Sequence, residues 1–301
     1  MIASLENGRS RRYSRRAAIH RRLIGVRSQR DGAVNLSVVV PLFNEEERLD
    51  KRYPLLLDWL AAKSAPTELI LVDDGSRDAT RAVARSVVAR ARKLRIEARL
   101  VEAEHLGKGA AVAAGLARSR GAYAGFCDVD LSTPLEHFDT VIRAAFSGGV
   151  LAIASRAANG AIVTKPESKL REGLGCVYNR LLQATLVPGI SDTQCGAKAA
   201  PTELWQTVVP YCHESGWAWD VELVAISRRL GFPVEEVPVN WHHDTGSRLN
   251  VLSAGTQLLA AVPRIWLNMR SLPAPVPSSC AGLNRVVTPR RISAASLEAS
   301  G

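Results

Sequence analysis

Sulfur and aromatic rings are scarce in this chain. Its 301 residues hold five cysteines, two methionines and only 5% Phe, Trp and Tyr. Cys127, Cys176, Cys195, Cys212 and Cys280 are odd in number and widely spread, with no CxxC pair and no Cys/His cluster at zinc-ligand spacing. These absences argue against a disulfide framework and a structural zinc site, and imply a reducing compartment. No uninterrupted apolar run reaches the about 18 residues of a spanning helix, and the N-terminus lacks the apolar stretch of a signal peptide. The chain is not expected to span a membrane. A dinucleotide fingerprint is also missing: after Gly107 and Gly109, position 112 is Val where GxGxxG needs Gly. No GxxxxGK[ST] occurs, so hydride transfer and P-loop phosphoryl transfer both lose support.

What is present is the composition of a globular protein, 47% hydrophobic and 23% charged. A chain of this size buries about 75% of its unfolded surface and needs no metal to hold its core. Any metal is then expected to serve chemistry. The net charge is +10, yet residues 1–30 alone carry nine Arg against one Glu, and the rest is nearly neutral. Residues 1–34 therefore read as a disordered Arg-rich arm. An anionic membrane surface is its first expected partner, at about 1 kcal/mol per basic residue near the lipid. Nucleic acid ranks lower, because no binding motif follows the arm. Residues 271–301 read as a flexible tail.

From Ser37 short apolar runs alternate with helical stretches, the pattern of βα units around a mainly parallel sheet. Strands are expected at 37–42, 68–73, 97–102, 122–127 and 150–155, and helices at about 45–62, 78–93, 108–119 and 135–147. Further on, helices are expected at 168–187, 217–230 and 250–269, with a strand at 232–240. The 250–269 helix is amphipathic and interrupted by Pro263; it suits either a membrane surface or the core. Ligands of open α/β sheets bind beyond the carboxyl ends of the strands. Those ends are polar here, running into Asn44-Glu45-Glu46-Glu47, Asp73-Asp74-Gly75-Ser76, Asp128-Val129-Asp130 and Ser155-Arg156.

Asp128 and Asp130 can share a hard divalent cation, Mg²⁺ or Mn²⁺, with the oxygens of a nucleotide diphosphate. Asp73 and Asp74 offer carboxylates to a base or ribose, with Ser76 expected to cap the following helix. Gly107-Lys108-Gly109 opens another helix, placing a cation and a permissive backbone near phosphate.

Together Pro41-x-x-Asn44-Glu45-Glu46, Val72-Asp73-Asp74-Gly75-Ser76, Gly107-Lys108-Gly109 and Asp128-Val129-Asp130 resemble the family 2 glycosyltransferases of the GT-A fold. Asp192-Thr193-Gln194-Cys195-Gly196, Trp219-Asp220-Val221-Glu222-Leu223 and Glu236-Val237-Pro238-Val239-Asn240-Trp241 are similar to the dolichyl-phosphate β-glucosyltransferase branch, beside the polyprenyl-phosphate mannose synthases. The resemblance covers about residues 35–250. It implies an α/β GT-A nucleotide-diphospho-sugar transferase fold, a mainly parallel central sheet flanked by helices, with the amphipathic helix 251–270 beyond it. It further implies transfer of a hexose, glucose first, from a nucleotide-diphosphate sugar to polyprenyl phosphate with inversion. By position, Pro41, Phe43, Glu45, Asp73 and Asp74 would hold the nucleoside, Lys108 would approach the diphosphate, and Asp128 and Asp130 would carry the metal. Relatives often begin with a membrane anchor; here the Arg-rich arm is expected to supply membrane contact, from the cytoplasmic face. Ser132 stands where the mannose synthases have Gln near the metal, which favours the glucose branch.

A lipid phosphate approaching an already negative donor demands fixed cations, and arginine binds phosphate oxygens bidentately. Arg156 is the first candidate, then Arg171 and Arg248. A phosphate oxygen is already nucleophilic at neutral pH, so a base is less necessary than for a hydroxyl acceptor. If one assists, it is Asp220, with Glu222 structural and Asp192 orienting the Gln194-Cys195-Gly196 loop. His242-His243-Asp244 lacks i, i+4 metal spacing, and Cys195 reads as a small buried residue. Two rivals remain: a GT-A enzyme using GDP-mannose or a hydroxyl acceptor, and an idle lipid- or RNA-binding protein.

Overall fold

The computed structural model describes residues 35–164, 169–242 and 251–272. Strands β1 (Leu36–Leu42), β2 (Thr67–Asp74) and β3 (Glu97–Ala103) alternate with helices α1 (Glu46–Ala61), α2 (Thr80–Lys93) and α3 (Lys108–Leu116). β4 (Tyr123–Cys127), α4 (Leu135–Gly148) and β5 (Leu151–Ser155) continue that rhythm. Then come β6 (Ile162–Val163), α5 (Lys169–Thr185), β7 (Ala197–Pro201), α6 (Thr202–Val208) and a 3-10 turn at Val209–Tyr211. α7 (Trp219–Arg229), β8 (Val234–Pro238), β9 (Asn240–Trp241) and α8 (Val251–Ser271) complete the order.

Seven strands form one sheet in the order β3-β2-β1-β4-β7-β5-β8, while β6 and β9 pair in parallel apart from it. All neighbours in the large sheet are parallel except β7, which runs antiparallel to β4 and β5. The central strands are apolar on both faces because both are covered. Val38, Val40, Leu69 and Leu71 point to one side, against Leu56 and Leu60 of α1, Val87 of α2 and Phe138 of α4. Val39, Ile70, Val72 and Phe126 point to the other, against Val112 of α3 and Leu223 of α7. Successive side chains alternate across the pleat, so each strand stitches the two cores together.

The expected strands and helices of the first half are present within one or two residues of their expected ends, except that α3 stops at Leu116, three residues short of 119. Among the elements that the sequence did not announce, β7 and α6 matter most. β7 is Ala-Lys-Ala-Ala-Pro, a run without β-branched or aromatic residues and with a charge inside it. It is a strand because β4 and β5 flank it and supply its partners. α6 follows at once, and Trp205 fills the core with its indole N–H donated to the Ala124 carbonyl at 2.8 Å.

Pro263 does not end α8, which continues to Ser271. Ala261 and Ile265 bury one face of this helix in the core shared with α7. Glu222 of α7 clamps it: one carboxylate oxygen accepts from Asn268 at 2.7 Å, and the other from the backbone N–H groups of His213 and Glu214. Arg264 adds a bidentate pair with Glu214. No helix of the described residues is long and apolar enough to cross a membrane.

Candidate active site

β1 and β2 end side by side, with Leu42 opposite Asp73, so their following loops form one rim. Hydrogen bonds sew them together: Asn44 N–H to Ser76 Oγ at 3.0 Å, Arg77 N–H to Asn44 Oδ1 at 2.8 Å and Glu45 N–H to Thr80 Oγ1 at 2.8 Å. Asn44 takes a left-handed backbone (φ 53°), which its side chain tolerates better than most. The expected capping role of Ser76 is corrected here. α2 starts four residues later, where Asp78 accepts the Thr80 N–H, while the Ser76 hydroxyl is engaged by Asn44.

Asp73 is fully buried and accepts from Ser76 N–H and from Arg81 Nε at 2.6 Å. Asp74 is buried as well and gathers the loop before α3, accepting from Leu106 N–H at 2.9 Å and Gly107 N–H at 3.0 Å. His105 Nδ1 lies 2.8 Å from the same carboxylate, and its ring stacks on Phe43 with centroids 3.9 Å apart and 12° between planes. The nucleoside residues expected from sequence thus share one corner, where the stacked rings of Phe43 and His105 are exposed. Pro41 lies just inside on β1, and the Glu45 carboxylate is bonded to Arg48. His105 carried no signal of its own in the sequence, since an isolated histidine in a loop has no periodicity or spacing to single it out.

The second corner forms where β4 ends. Lys108, the first residue of α3, directs its ammonium to both Asp128 oxygens, at 2.9 and 3.0 Å, and lies 3.9 Å from Asp220. Burial opposes the Lys108 charge, but Asp128 and Asp220 outweigh it and hold the group well above the ordinary lysine range. Burial pushes the Asp128 carboxyl up, and nearby Asp130 and Asp220 add to that against the pull of Lys108. Asp130 bonds the Ser132 N–H at 2.9 Å, across a turn that drives Leu131 to φ 51°. A positive φ at leucine is strained, and here the turn that presents the two carboxylates imposes it.

Asp220 stands at the start of α7, buried, with its other oxygen on Lys198 of β7. The carboxylate named from the sequence as the base, if one assists, is enclosed between two ammonium groups. Gly196 is close-packed against the site, for a Cβ there would lie 1.9 Å from Asp128 Oδ2. Gly107, at φ 112°, brings the chain against Ser215, whose carbonyl accepts the Ala110 N–H at 3.0 Å. The same segment lays Trp217 beside Lys108, 5.3 Å from ring centre to ammonium.

On the β5 side, Arg156 is not a bare cation. Its Nε and Nη2 donate to the two oxygens of Asp192 at 2.6 and 2.9 Å, and its guanidinium lies 5.3 Å over Trp241. Burial works against the Asp192 charge, but the Arg156 guanidinium and its hydrogen bonds hold the carboxyl below the usual range. Asp192 also accepts the Gln194 N–H at 3.0 Å, ordering the loop that carries Cys195 and Gly196. The backbone of His242, next to Trp241, donates to the Ser132 carbonyl at 2.9 Å and so ties this corner to the Asp130 turn. Arg171 belongs to α5, its side chain outside the described residues, and Arg248 lies outside them altogether. Burial raises the Cys195 thiol, as befits a packed residue and not a nucleophile.

The donor set suits a hard divalent cation supplied with further oxygens by a ligand. Asp128 is 32% exposed, and three carboxylates crowd one ammonium at the rim. That ammonium already sits on both Asp128 oxygens, where positive charge is called for. Among the described residues no three His, Cys, Asp or Glu side chains form a complete metal cage.

A family profile described as Glycosyl transferase family 2 matches residues 37–203. The chain is similar to the dolichyl-phosphate beta-glucosyltransferase of Dictyostelium discoideum, 32% identical over 77% of this chain and 74% of that one. It is 34% identical to the enzyme of the same name from Drosophila melanogaster, over 78% of this chain and 75% of that one. Among solved structures, glucosyl-3-phosphoglycerate synthase from Mycobacterium tuberculosis, in complex with Mn²⁺, UDP and glucosyl-3-phosphoglycerate, superposes with a TM-score of 0.56. At 22% identity over 78% of this chain and 81% of that one, this likeness establishes the shared fold. With a central sheet, a paired-carboxylate turn and a sequence match of this extent, the chain belongs to glycosyl transferase family 2.

Proposed function

We propose that this chain transfers glucose from UDP-glucose to a polyprenyl, dolichyl-type phosphate at a membrane surface, with inversion at the anomeric carbon. The observation that carries the reading is the corner in which Asp128, Asp130 and Lys108 meet at the end of β4, in a chain about one-third identical to dolichyl-phosphate beta-glucosyltransferases. Phe43 and His105 receive the nucleobase end, with Pro41, Glu45, Asp73 and Asp74 shaping that corner. Lys108 compensates the diphosphate. Asp128 and Asp130 would hold Mg²⁺ or Mn²⁺, which when bound acts as a Lewis acid on the departing diphosphate.

The acceptor is assigned to the β5 side. Arg156, fixed by Asp192 and Trp241, presents a guanidinium of set orientation, and Arg171 and Arg248 supply further positive charge. Because Asp192 offsets its charge, Arg156 contributes orientation more than net field. An ionised phosphate oxygen attacks the anomeric carbon on the face opposite the leaving diphosphate, which needs no base. Asp220, enclosed by Lys108 and Lys198, acts electrostatically. The proposal includes a peripheral position on the cytoplasmic face of a membrane, supported by the nine arginines among residues 1–30.

The test is to incubate the full chain with Mn²⁺ and polyprenyl phosphate in detergent, separately with radiolabelled UDP-glucose and GDP-mannose, and to count label in the organic phase. Label from UDP-glucose is expected. Label from GDP-mannose alone would overturn the donor, and free nucleoside diphosphate without labelled lipid would overturn the acceptor.

A further inference from the structure

One buried cation has no part in the chemistry just described. Lys198 has no exposed surface, an uncommon situation for lysine. From the middle of β7 its ammonium donates to the Cys195 carbonyl at 2.9 Å and to Asp220 Oδ1. Asp220 Oδ2 lies 3.9 Å from Lys108, which in turn contacts both oxygens of Asp128. Four charges therefore alternate from the core to the rim: Lys198, Asp220, Lys108, Asp128. The Phe126 ring lies beside both ammonium groups, 5.3 Å from Lys198 and 6.0 Å from Lys108.

A buried ion pair is weak support for stability, since desolvation offsets its attraction. Its place in this line gives it another use. Lys108 stands between two carboxylates and rests on Asp128, in direct contact, while Asp220 is a longer step away. Asp220 is already neutralised by Lys198 and draws only weakly on Lys108. We propose that Lys198 is a positioning residue: it holds Asp220 off Lys108, so that Lys108 rests on Asp128 as a displaceable counter-ion and sets how readily that carboxylate passes to a divalent cation. This inference rests on the reading of Asp128 and Asp130 as metal ligands.

The directions follow from the geometry. Without the Lys198 charge, Asp220 pulls Lys108 inward and leaves Asp128 open, so a divalent cation binds more tightly. Without the Asp220 charge, nothing draws Lys108 off Asp128, and the cation binds more weakly. The measurement is a Mn²⁺ titration of the full chain followed by the electron paramagnetic resonance of the free ion. Lys198→Met is expected to tighten Mn²⁺ about fivefold and Asp220→Asn to weaken it about fivefold, the low end of ordinary coupling between sites. Lys198→Met with Asp220→Asn should bind Mn²⁺ as weakly as Asp220→Asn alone, because Lys198 acts only through the Asp220 charge. Should Lys198→Met alone fail to fold, the other two variants carry the test.

Repeating Asp220→Asn in a Lys108→Met background separates repositioning from a plain field effect, as in a double-mutant cycle. The shift should nearly vanish there. A shift of full size in that background, or Mn²⁺ affinity unchanged by Asp220→Asn in the wild-type background, overturns the role of Lys198 while leaving the metal assignment standing. A wild-type chain that binds no Mn²⁺ overturns the metal assignment itself, and this inference with it.

Discussion

A Cβ at position 196 would lie 1.9 Å from Asp128 Oδ2 and 2.5 Å from its Cγ, closer than atoms can approach. Gly196→Ala must therefore swing the Asp128 carboxylate away from Lys108. We expect a loss of at least about tenfold in label transfer, since misplacing a reacting group by about 1 Å is enough for that. Circular dichroism should stay unchanged, and wild-type turnover would show that the Asp128 geometry is immaterial. Asp130→Ala is expected to abolish Mn²⁺-dependent transfer with the fold intact; full activity in that variant would remove the paired-carboxylate assignment. At this scale Asp128 and Asp130 stood out in the sequence because their spacing follows an apolar strand. Asp192 was legible as the residue that orders the Gln194-Cys195-Gly196 loop, but its pairing with Arg156 was not, and Lys198 did not stand out at all, because what matters there is the partner each meets across the fold.

Among the elements, β2 carries the clearest pH-dependent anchor. Glu68 points its buried carboxylate at Ser37 Oγ of β1, 2.5 Å away, at the Arg120 N–H, 2.6 Å away, and at the Arg99 side chain of β3. Burial alone would raise its pKa, but these donors outweigh it and lower it from 4.5. A carboxyl depressed in the folded state stabilises fully above its unfolded value and loses that contribution as pH falls through the folded one. Thermal unfolding of wild type and Glu68→Gln across about pH 3 to 6 should show the variant less stable near pH 6, by about 1.5 to 3 kcal/mol for a hydrogen bond to a charged group. The gap should close as pH falls below 4.5, and a gap independent of pH would refute the linkage. α8 makes the complementary point about elements. Its helical spacing was legible, but whether it met the core was settled by Ala261, Ile265 and the Glu222 clamp.

For the whole molecule, charge is segregated along the chain, with nine Arg and one Glu in residues 1–30 and a nearly balanced remainder. Polybasic segments bind anionic bilayers through many small increments that salt screens. Deleting residues 1–30 is expected to reduce sedimentation with phosphatidylserine vesicles at low salt while leaving transfer to detergent-dispersed polyprenyl phosphate in place. Equal vesicle binding by the shortened chain would show that the arm is not the anchor.

The apolar runs with acids and glycines at their ends determined the alternating βα order and the rim where the site lies, because periodicity and turn chemistry are local properties. They also supplied the motifs by which the family is identified. Only the tertiary structure decided that a lysine-bearing alanine run inserts between β4 and β5, that Arg156 closes on Asp192, and that Asp220 is enclosed by Lys198 and Lys108. Each of those outcomes depends on a partner many residues away, and the pairing of buried charges follows from which groups the fold desolvates together.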